Sequence, residues 1–404
     1  MLYQAYQTYA DMMHPGCTLA GLTASILATN PSAAGTDSMR SLWAACEILA
    51  LARLTHHRPD FGIDSVVVNG VPVQVSEEVV ARTPFCSLLH FRRHGIGGQP
   101  RVLLVAPMSG HFASLLRGTA QTMLADHDVY ITDWHNPRDI PLLAGRFGFD
   151  EFVGHLIAFM HTLGGHTHLV AVCQPTVAAL AAAALMAEDD DPDQPPSLTL
   201  MAGPIDARVN PTKVNELAMA RPIEWFESRL IGFVPLRFAG GLRRVYPGFV
   251  QLLAFMSMNL ERHDQALREM HALRSRGEHE KANAIQDFYV EYFATMDLTA
   301  EFYLETVSTV FQRFLLAQGL LEVGGRLVST RAIRRTALLT VEGERDDICA
   351  IGQTMAAQDL CGSLRPTLRM HHVQTGVGHY GVFNGRRWET QVYPLVRDTI
   401  YMRD

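Results

Sequence analysis

The sequence predicts an α/β protein: a mostly parallel sheet with helices on both faces and an inserted helical cap. Three observations predict it. Short apolar strands alternate with helical stretches from about residue 101 to 201, the pattern of parallel strands joined by crossover helices. The alternation then stops from roughly residue 210 to 335, where helical periodicity dominates, and resumes at Thr336. Between these landmarks, a buried strand, Leu169–Val172, runs through one tight turn into Val177–Ala187, which is apolar on every face.

The elements follow in order. Residues 1 to about 58 read as helical, with Leu42–Leu54 the clearest piece. Ser65–Val68, Asn69-Gly70 and Val71–Val75 form a hairpin signature, because Asn-Gly supplies the positive φ of a type I′ turn. Phe85–Phe91, Arg101–Val105, Asp128–Thr132 and Ser197–Met201 read as strands, and Phe149–Leu163 as a helix. The acidic, proline-bearing run Glu188–Pro196 reads as a solvated loop. After the interruption come a strand Thr336–Val341, a helix near Gly352–Leu360, a strand Thr367–Val373 and a helix from about Arg386. This divides the chain into an N-terminal helical segment (1–60), a first part of the core (61–209), the cap (210–335) and a second part of the core (336–404). Within the cap, the apolar, Met-rich run Pro247–Met258 reads first as packing and second as a surface for an apolar substrate.

Composition excludes several classes. The chain has 404 residues, 48% hydrophobic and 19% charged, enough for one large domain with an insertion. A net charge of -7 leaves no electrostatic footprint for nucleic acid. The longest nearly apolar run is broken by Gln174, Pro175 and Thr176, so no membrane span is expected. Met1-Leu-Tyr-Gln-Ala-Tyr-Gln lacks a basic start followed by an apolar stretch, and the six cysteines are scattered without a C-x-x-C pair. Reduced thiols in the cytosol are therefore expected. There is no phosphate-binding loop, no dinucleotide fingerprint and no metal-ligand spacing beyond His166-Thr-His168, which lacks a third ligand nearby. No metal and no resident cofactor are expected.

The chemistry-bearing residues stand just beyond predicted strands. Cys173 occupies the tight turn between strand and helix, where a nucleophile projects from the sheet edge beside the first N–H groups of a helix. That is the nucleophile elbow of α/β-hydrolases, here with a thiol and without the glycines of the G-x-S-x-G box. Alone, the segment is equally the site of a buried structural cysteine. The resumed strand leads to Asp346, preferred over Asp347 because it lies three residues after Gly343, and an acid there can hold an imidazole by accepting its N–H. The last strand leads to His379 in the loop Gly376–Gly381, whereas His371 and His372 belong to the strand. Nucleophile, acid and histidine thus follow in α/β-hydrolase order, which predicts a catalytic triad Cys173-Asp346-His379. The backbone N–H of Gln174 is one expected oxyanion donor, and that of Met108 or Ser109, in the loop Ala106–His111, the other. No substrate-binding residue can be named.

With these residues in hand, the chain resembles the intracellular poly(3-hydroxybutyrate) depolymerases of bacteria. The resemblance rests on Met1-Leu-Tyr-Gln, Pro84-Phe-Cys, Tyr130-Ile-Thr-Asp-Trp134, Val172-Cys-Gln-Pro-Thr176, Gly203-Pro-Ile-Asp-Ala-Arg208, Arg244-Val-Tyr-Pro-Gly-Phe249, Thr340-Val-Glu-Gly-Glu344, and Gly378-His-Tyr-Gly381 with Gly385-Arg-Arg-Trp388. It implies a cysteine nucleophile at Cys173, partnered by Asp346 and His379, that cleaves the esters of stored polyester at the surface of cytoplasmic granules. It also admits both water and coenzyme A as the acyl acceptor. A more distant similarity to polyhydroxyalkanoate synthases keeps an acyltransferase as an alternative, and a non-catalytic granule-coating protein is another. Monomer chain length, product size and oligomeric state, a homodimer included, are not legible.

Overall fold

In a computed structural model the chain is described over residues 2–29, 36–258 (without the side chain of Met258) and 260–404. Two helices come first, α1 (Leu2–Thr29) and α2 (Asp37–Leu51), and α1 runs through Pro15. The part of the helical expectation that falls on residues 30–35 lies outside the described residues. The strands β1 (Ser65–Val68), β2 (Val71–Arg82), β3 (Cys86–Arg93) and β4 (Arg101–Val105) follow, then α3 (Arg117–Met123), β5 (Asp128–Trp134), α4 (Phe149–Leu163), β6 (Thr167–Val172), α5 (Thr176–Glu188) and β7 (Ser197–Met201).

The next stretch carries α6 (Lys213–Met219), α7 (Ile223–Leu230), β8 (Gly232–Phe233), β9 (Arg244–Tyr246), α8 (Gly248–Met258), α9 (Leu260–Ser275), α10 (His279–Tyr292), β10 (Leu298–Thr299), α11 (Ala300–Thr306) and a hairpin of β11 (Glu322–Val323) and β12 (Arg326–Leu327). The chain then returns to the sheet with β13 (Ala337–Gly343), α12 (Ala356–Leu360), β14 (Arg369–Gln374), α13 (Gly385–Arg387) and α14 (Tyr393–Tyr401).

Nine strands form the main sheet in the order β1-β2-β3-β5-β4-β6-β7-β13-β14. The pairs from β5 to β14 are parallel, and β1, β2 and β3 add an antiparallel margin. With the helical insertion between β7 and β13, this is the α/β-hydrolase architecture that the strand-helix alternation predicts. Chain order reverses around β4, whose neighbours are β5 and β6, and such a switch point opens a crevice at the carboxyl ends of the strands. The central strands β6 and β7 are buried along their whole length, as expected of strands covered on both faces. Asn69 and Gly70 both have positive φ, as the hairpin signature requires.

Three expectations are corrected in extent. β2 continues to Arg82, seven residues past Val75, with a register shift between Val79 and Ala81. The insertion also contains strands: β8, β9 and β10 form a small antiparallel sheet. The helix expected from Gly352 begins only at Ala356, because the N–H groups of Gly352, Thr354 and Met355 donate instead to the buried Glu342 carboxylate at 2.7–3.0 Å.

The insertion is anchored to the sheet by aromatic packing. Trp134 at the end of β5 stacks on Phe152 of α4 with ring centres 4.2 Å apart, and Phe152 stacks on Phe302 of α11 at 5.2 Å. Each such pair adds about 0.5–1.5 kcal/mol beyond area burial. The N-terminal helices pack on the insertion too: Tyr6 stacks on Phe249 at 3.9 Å, and Tyr3 donates to the buried Asp297 at 2.6 Å. Among the described residues, no helix is long and apolar enough to cross a membrane.

Candidate active site

The turn after β6 sets Cys173 in an unusual conformation. Its φ is +66°, in the left-handed region that costs a residue with a β-carbon roughly 1–2 kcal/mol. The backbone is pinned there from several sides. Cys173 N–H donates to the Met201 carbonyl at 2.8 Å, and the Cys173 carbonyl accepts from Thr176 N–H at 3.2 Å and from Thr176 Oγ1 at 2.9 Å. The thiol side is half-buried, while α5 behind it is buried over most of its length.

The residues two before and two after the nucleophile are Ala171 and Pro175, so the close approach an elbow demands is provided elsewhere. A β-carbon on Gly203, just past β7, would stand 1.8 Å from Thr176 Oγ1 and 2.5 Å from Thr176 Cβ. Only glycine leaves room there for the first residue of α5. Sequence reasoning assigned no role to Gly203, although it heads one of the blocks of the family resemblance.

The acid and the histidine meet. Asp346 Oδ1 accepts from the N–H groups of Ile348 (2.9 Å) and Cys349 (2.8 Å), and Oδ2 contacts His379 Nδ1 at 2.8 Å. Both residues are buried, whereas Asp347 is exposed. Burial opposes a charged imidazole, but the Asp346 carboxylate and the Cys173 sulfur, with hydrogen bonds to both, hold His379 well above the ordinary histidine value. The two loops are tied together, since Arg345 N–H donates to the Val377 carbonyl at 2.8 Å and Gly376 N–H to Glu344 Oε2 at 2.6 Å. His371 and His372 bond instead to Thr340 and Gln374 at 2.9 and 3.1 Å, and serve the strand.

The loop after β4 borders the same edge. Trp134 Nε1 donates to the Ala106 carbonyl at 2.9 Å, and Met296 N–H to the Gly110 carbonyl at 2.9 Å, so β5 and the insertion clamp the loop from two sides. Among the described residues, the amide N–H groups of Met108, Ser109 and Gln174 donate to no protein acceptor. His111 is buried against the Tyr292 carbonyl at 3.1 Å, and burial pushes it down to about 4, so it is a neutral structural histidine. The Gln174 side chain, to which sequence reasoning gave no part, has both Oε1 and Nε2 buried without a partner among the described residues.

The insertion reaches the site through Tyr380, the neighbour of His379. Tyr380 packs against the cluster formed by Leu252, Tyr289, Tyr292 and Phe293, and burial raises its pKa far above the ordinary value. In the Met-rich run, Phe249 and Leu252 are buried as packing, Phe255 and Met256 are half-buried, and Leu253 is 61% exposed. The side chain of Met258 lies outside the described residues.

No curated protein matches the chain. Among solved structures it is similar to a putative lipase from Acinetobacter baumannii (14% identity, 82% of this chain and 93% of that chain, TM-score 0.44). It is also similar to the 2-hydroxy-6-oxo-6-phenylhexa-2,4-dienoate hydrolase of Rhodococcus (15%, 81% and 99%, 0.45) and to a putative aryl esterase from Burkholderia cenocepacia (11%, 81% and 100%, 0.45). The family model described as PHB de-polymerase C-terminus matches residues 202–404, half of the chain, a span that holds Gly203, Asp346 and His379. The chain belongs to the PHB depolymerase family.

Proposed function

We propose that the chain cleaves the ester bonds of stored poly(3-hydroxybutyrate) with a Cys173-His379-Asp346 triad, working at the surface of cytoplasmic granules. The observation that carries this reading is Cys173 in a left-handed turn between strand and helix, beside the 2.8 Å pair of His379 and Asp346. The raised His379 pKa favours an imidazolium next to a thiolate, the form in which cysteine is nucleophilic. Membership of the family supports the substrate class.

In this mechanism the Cys173 thiol proton moves to His379 Nε2 and the sulfur attacks the ester carbonyl. The Asp346 carboxylate holds Nδ1–H and stabilises the imidazolium. The oxygen that becomes negative accepts from Gln174 N–H and from Met108 or Ser109 N–H, groups that no protein acceptor occupies among the described residues. As the carbon–oxygen bond breaks, His379 returns its proton to the leaving alcohol, and an acyl-Cys173 thioester remains. Water or the thiol of coenzyme A then gives its proton to His379 and attacks the thioester, and the carbon–sulfur bond breaks to release the Cys173 thiolate beside the imidazolium. Water yields a free acid, and coenzyme A exchanges one thioester for another with little loss of free energy. Exposed apolar side chains such as Leu253 suit contact with an insoluble polyester.

The test is incubation of the protein with amorphous polyhydroxybutyrate granules, with and without coenzyme A, and separately with 3-hydroxybutyryl-coenzyme A. Soluble acids or thioesters from granules, lost in Cys173→Ala, are the expected result. New polymer from the thioester would mark an acyltransferase of the opposite direction, and binding without turnover a coat protein. Free acid as the only product, at a rate indifferent to coenzyme A, would exclude thiolysis.

A further inference from the structure

A cleft of about 440 Å³ opens at the same edge of the sheet as Cys173, with Arg82, Phe112, Asp133 and His135 in its wall. Phe112 follows directly on the loop of Met108 and Ser109, so the cleft and the candidate catalytic edge share a wall. β4 separates β5 from β6, which puts the end of β5 two strand spacings, roughly 10 Å, from the end of β6.

Three neighbouring strands contribute one row of side chains. Arg82 of β2 stands opposite Ser87 of β3, and Ser87 opposite Asp133 of β5, so all three share a face. Arg82 Nε donates to Ser87 Oγ at 3.3 Å, and Arg82 pairs with no carboxylate among the described residues. Asp133 is buried. Its Oδ2 meets Arg58 Nε at 3.2 Å, but its Oδ1 is buried with no partner among the described residues. Burial pushes this carboxyl up to about 6, as befits an acid short of donors. His135 offers nothing further, because its ring nitrogens already contact Ser87 Oγ at 2.8 Å and the Pro84 carbonyl at 3.0 Å.

We propose that this cleft binds a short hydroxy acid, with its carboxylate on Arg82 and its hydroxyl donating to Asp133 Oδ1. The proposal rests on the ester cleavage proposed above, since a hydroxyalkanoate polyester releases such acids. The Arg82 head, held over Ser87, and Asp133 stand about one strand spacing apart, roughly 5 Å. A carboxylate and a hydroxyl on neighbouring or alternate carbons bridge that gap. A phosphate or a second carboxylate would set negative charge against Asp133, whereas a hydroxyl supplies the donor it lacks.

Isothermal titration of the whole chain with 3-hydroxybutyrate and with butyrate tests this without any turnover. The hydroxy acid is expected to bind about tenfold more tightly than butyrate, the worth of one hydrogen bond to a charged group. Arg82→Gln should weaken both acids about tenfold. Asp133→Asn should shrink the preference to a few-fold at most, because Arg58 keeps the amide oxygen and the NH₂ group turned to the ligand offers its hydroxyl only a neutral hydrogen bond in place of one to a carboxylate. Equal binding of the two acids by the unaltered chain, unchanged binding in Arg82→Gln, or no saturable binding of 3-hydroxybutyrate would overturn the proposal. Arg82 is exposed, so its variant keeps the test open should Asp133→Asn fail to fold. Ester cleavage without this binding sinks the cleft alone. Binding without ester cleavage sinks the function proposed above.

Discussion

Adding one methyl group at Gly203 should disable the enzyme from the back of the elbow. In Gly203→Ala the new carbon would lie 1.8, 2.4 and 2.5 Å from Thr176 Oγ1, Cγ2 and Cβ. Rotating the Thr176 side chain does not help, because Cβ itself is too close. Gly203 cannot retreat easily either, since its N–H and carbonyl both bond to Thr354 Oγ1, at 2.8 and 3.0 Å. The start of α5 must move, and with it the Thr176 hydroxyl that holds the Cys173 carbonyl. Overpacking of this kind costs about 1–3 kcal/mol, and the lost hydrogen bond about 1 kcal/mol more. A nucleophile displaced by about 1 Å loses about 10²-fold in rate. Turnover of amorphous granules, read beside thermal unfolding, measures both. Thr176→Val, which removes the hydroxyl and keeps the shape, should cost only the hydrogen bond. A Gly203→Ala protein with unchanged turnover and unchanged unfolding temperature would refute the argument.

Further outcomes follow from the acid and from buried histidines. Asp346→Asn should lower turnover about 10⁴-fold by mis-setting the imidazole, while the exposed Asp347→Asn should stay within a few-fold; equal effects would remove the case for Asp346. Burial lowers His111 and His168 to about 4 and His127 to about 3, against about 6.5 in the unfolded chain. The folded state therefore holds these rings neutral, and the stability this gives is full above about pH 6.5 and lost as pH falls towards 4 and 3. By pH 5 the loss is about 2 kcal/mol for each, so chemical denaturation at pH 7 and pH 5 should show a marked drop, and equal stability would contradict these assignments.

Much of this architecture is legible in the sequence because it is local. Arg101–Val105 and Ser197–Met201 are apolar runs of strand length, and Phe149–Leu163 carries a helical stripe, so the structure reproduces their bounds. Cys173, Asp346 and His379 stand out as candidates through their places after strands, and the structure pairs the last two. What escapes is what depends on distant partners. The outer half of β2 carries Glu77 and Glu78 and follows no apolar alternation, because its pairing with β3 rather than burial makes it a strand. Strands of two or three residues such as β8 and β10 leave no periodic trace and exist only by pairing across the insertion. Gly203 reads as an ordinary loop glycine until Thr176, 27 positions earlier in the sequence, is seen against it. The Tyr3–Asp297 bond joins residues 294 positions apart, and no local pattern announces it.

The acyl-enzyme that the proposed mechanism requires can be weighed. Protein mixed with amorphous granules, quenched in acid and digested, should carry one or more 3-hydroxybutyryl units on the peptide that contains Cys173. Cys173→Ala should show neither that adduct nor granule breakdown, while folding as the parent does. An adduct on another residue, or breakdown that survives Cys173→Ala at more than a few per cent of the parent rate, where removal of a triad member costs about 10⁴-fold or more, would contradict the account.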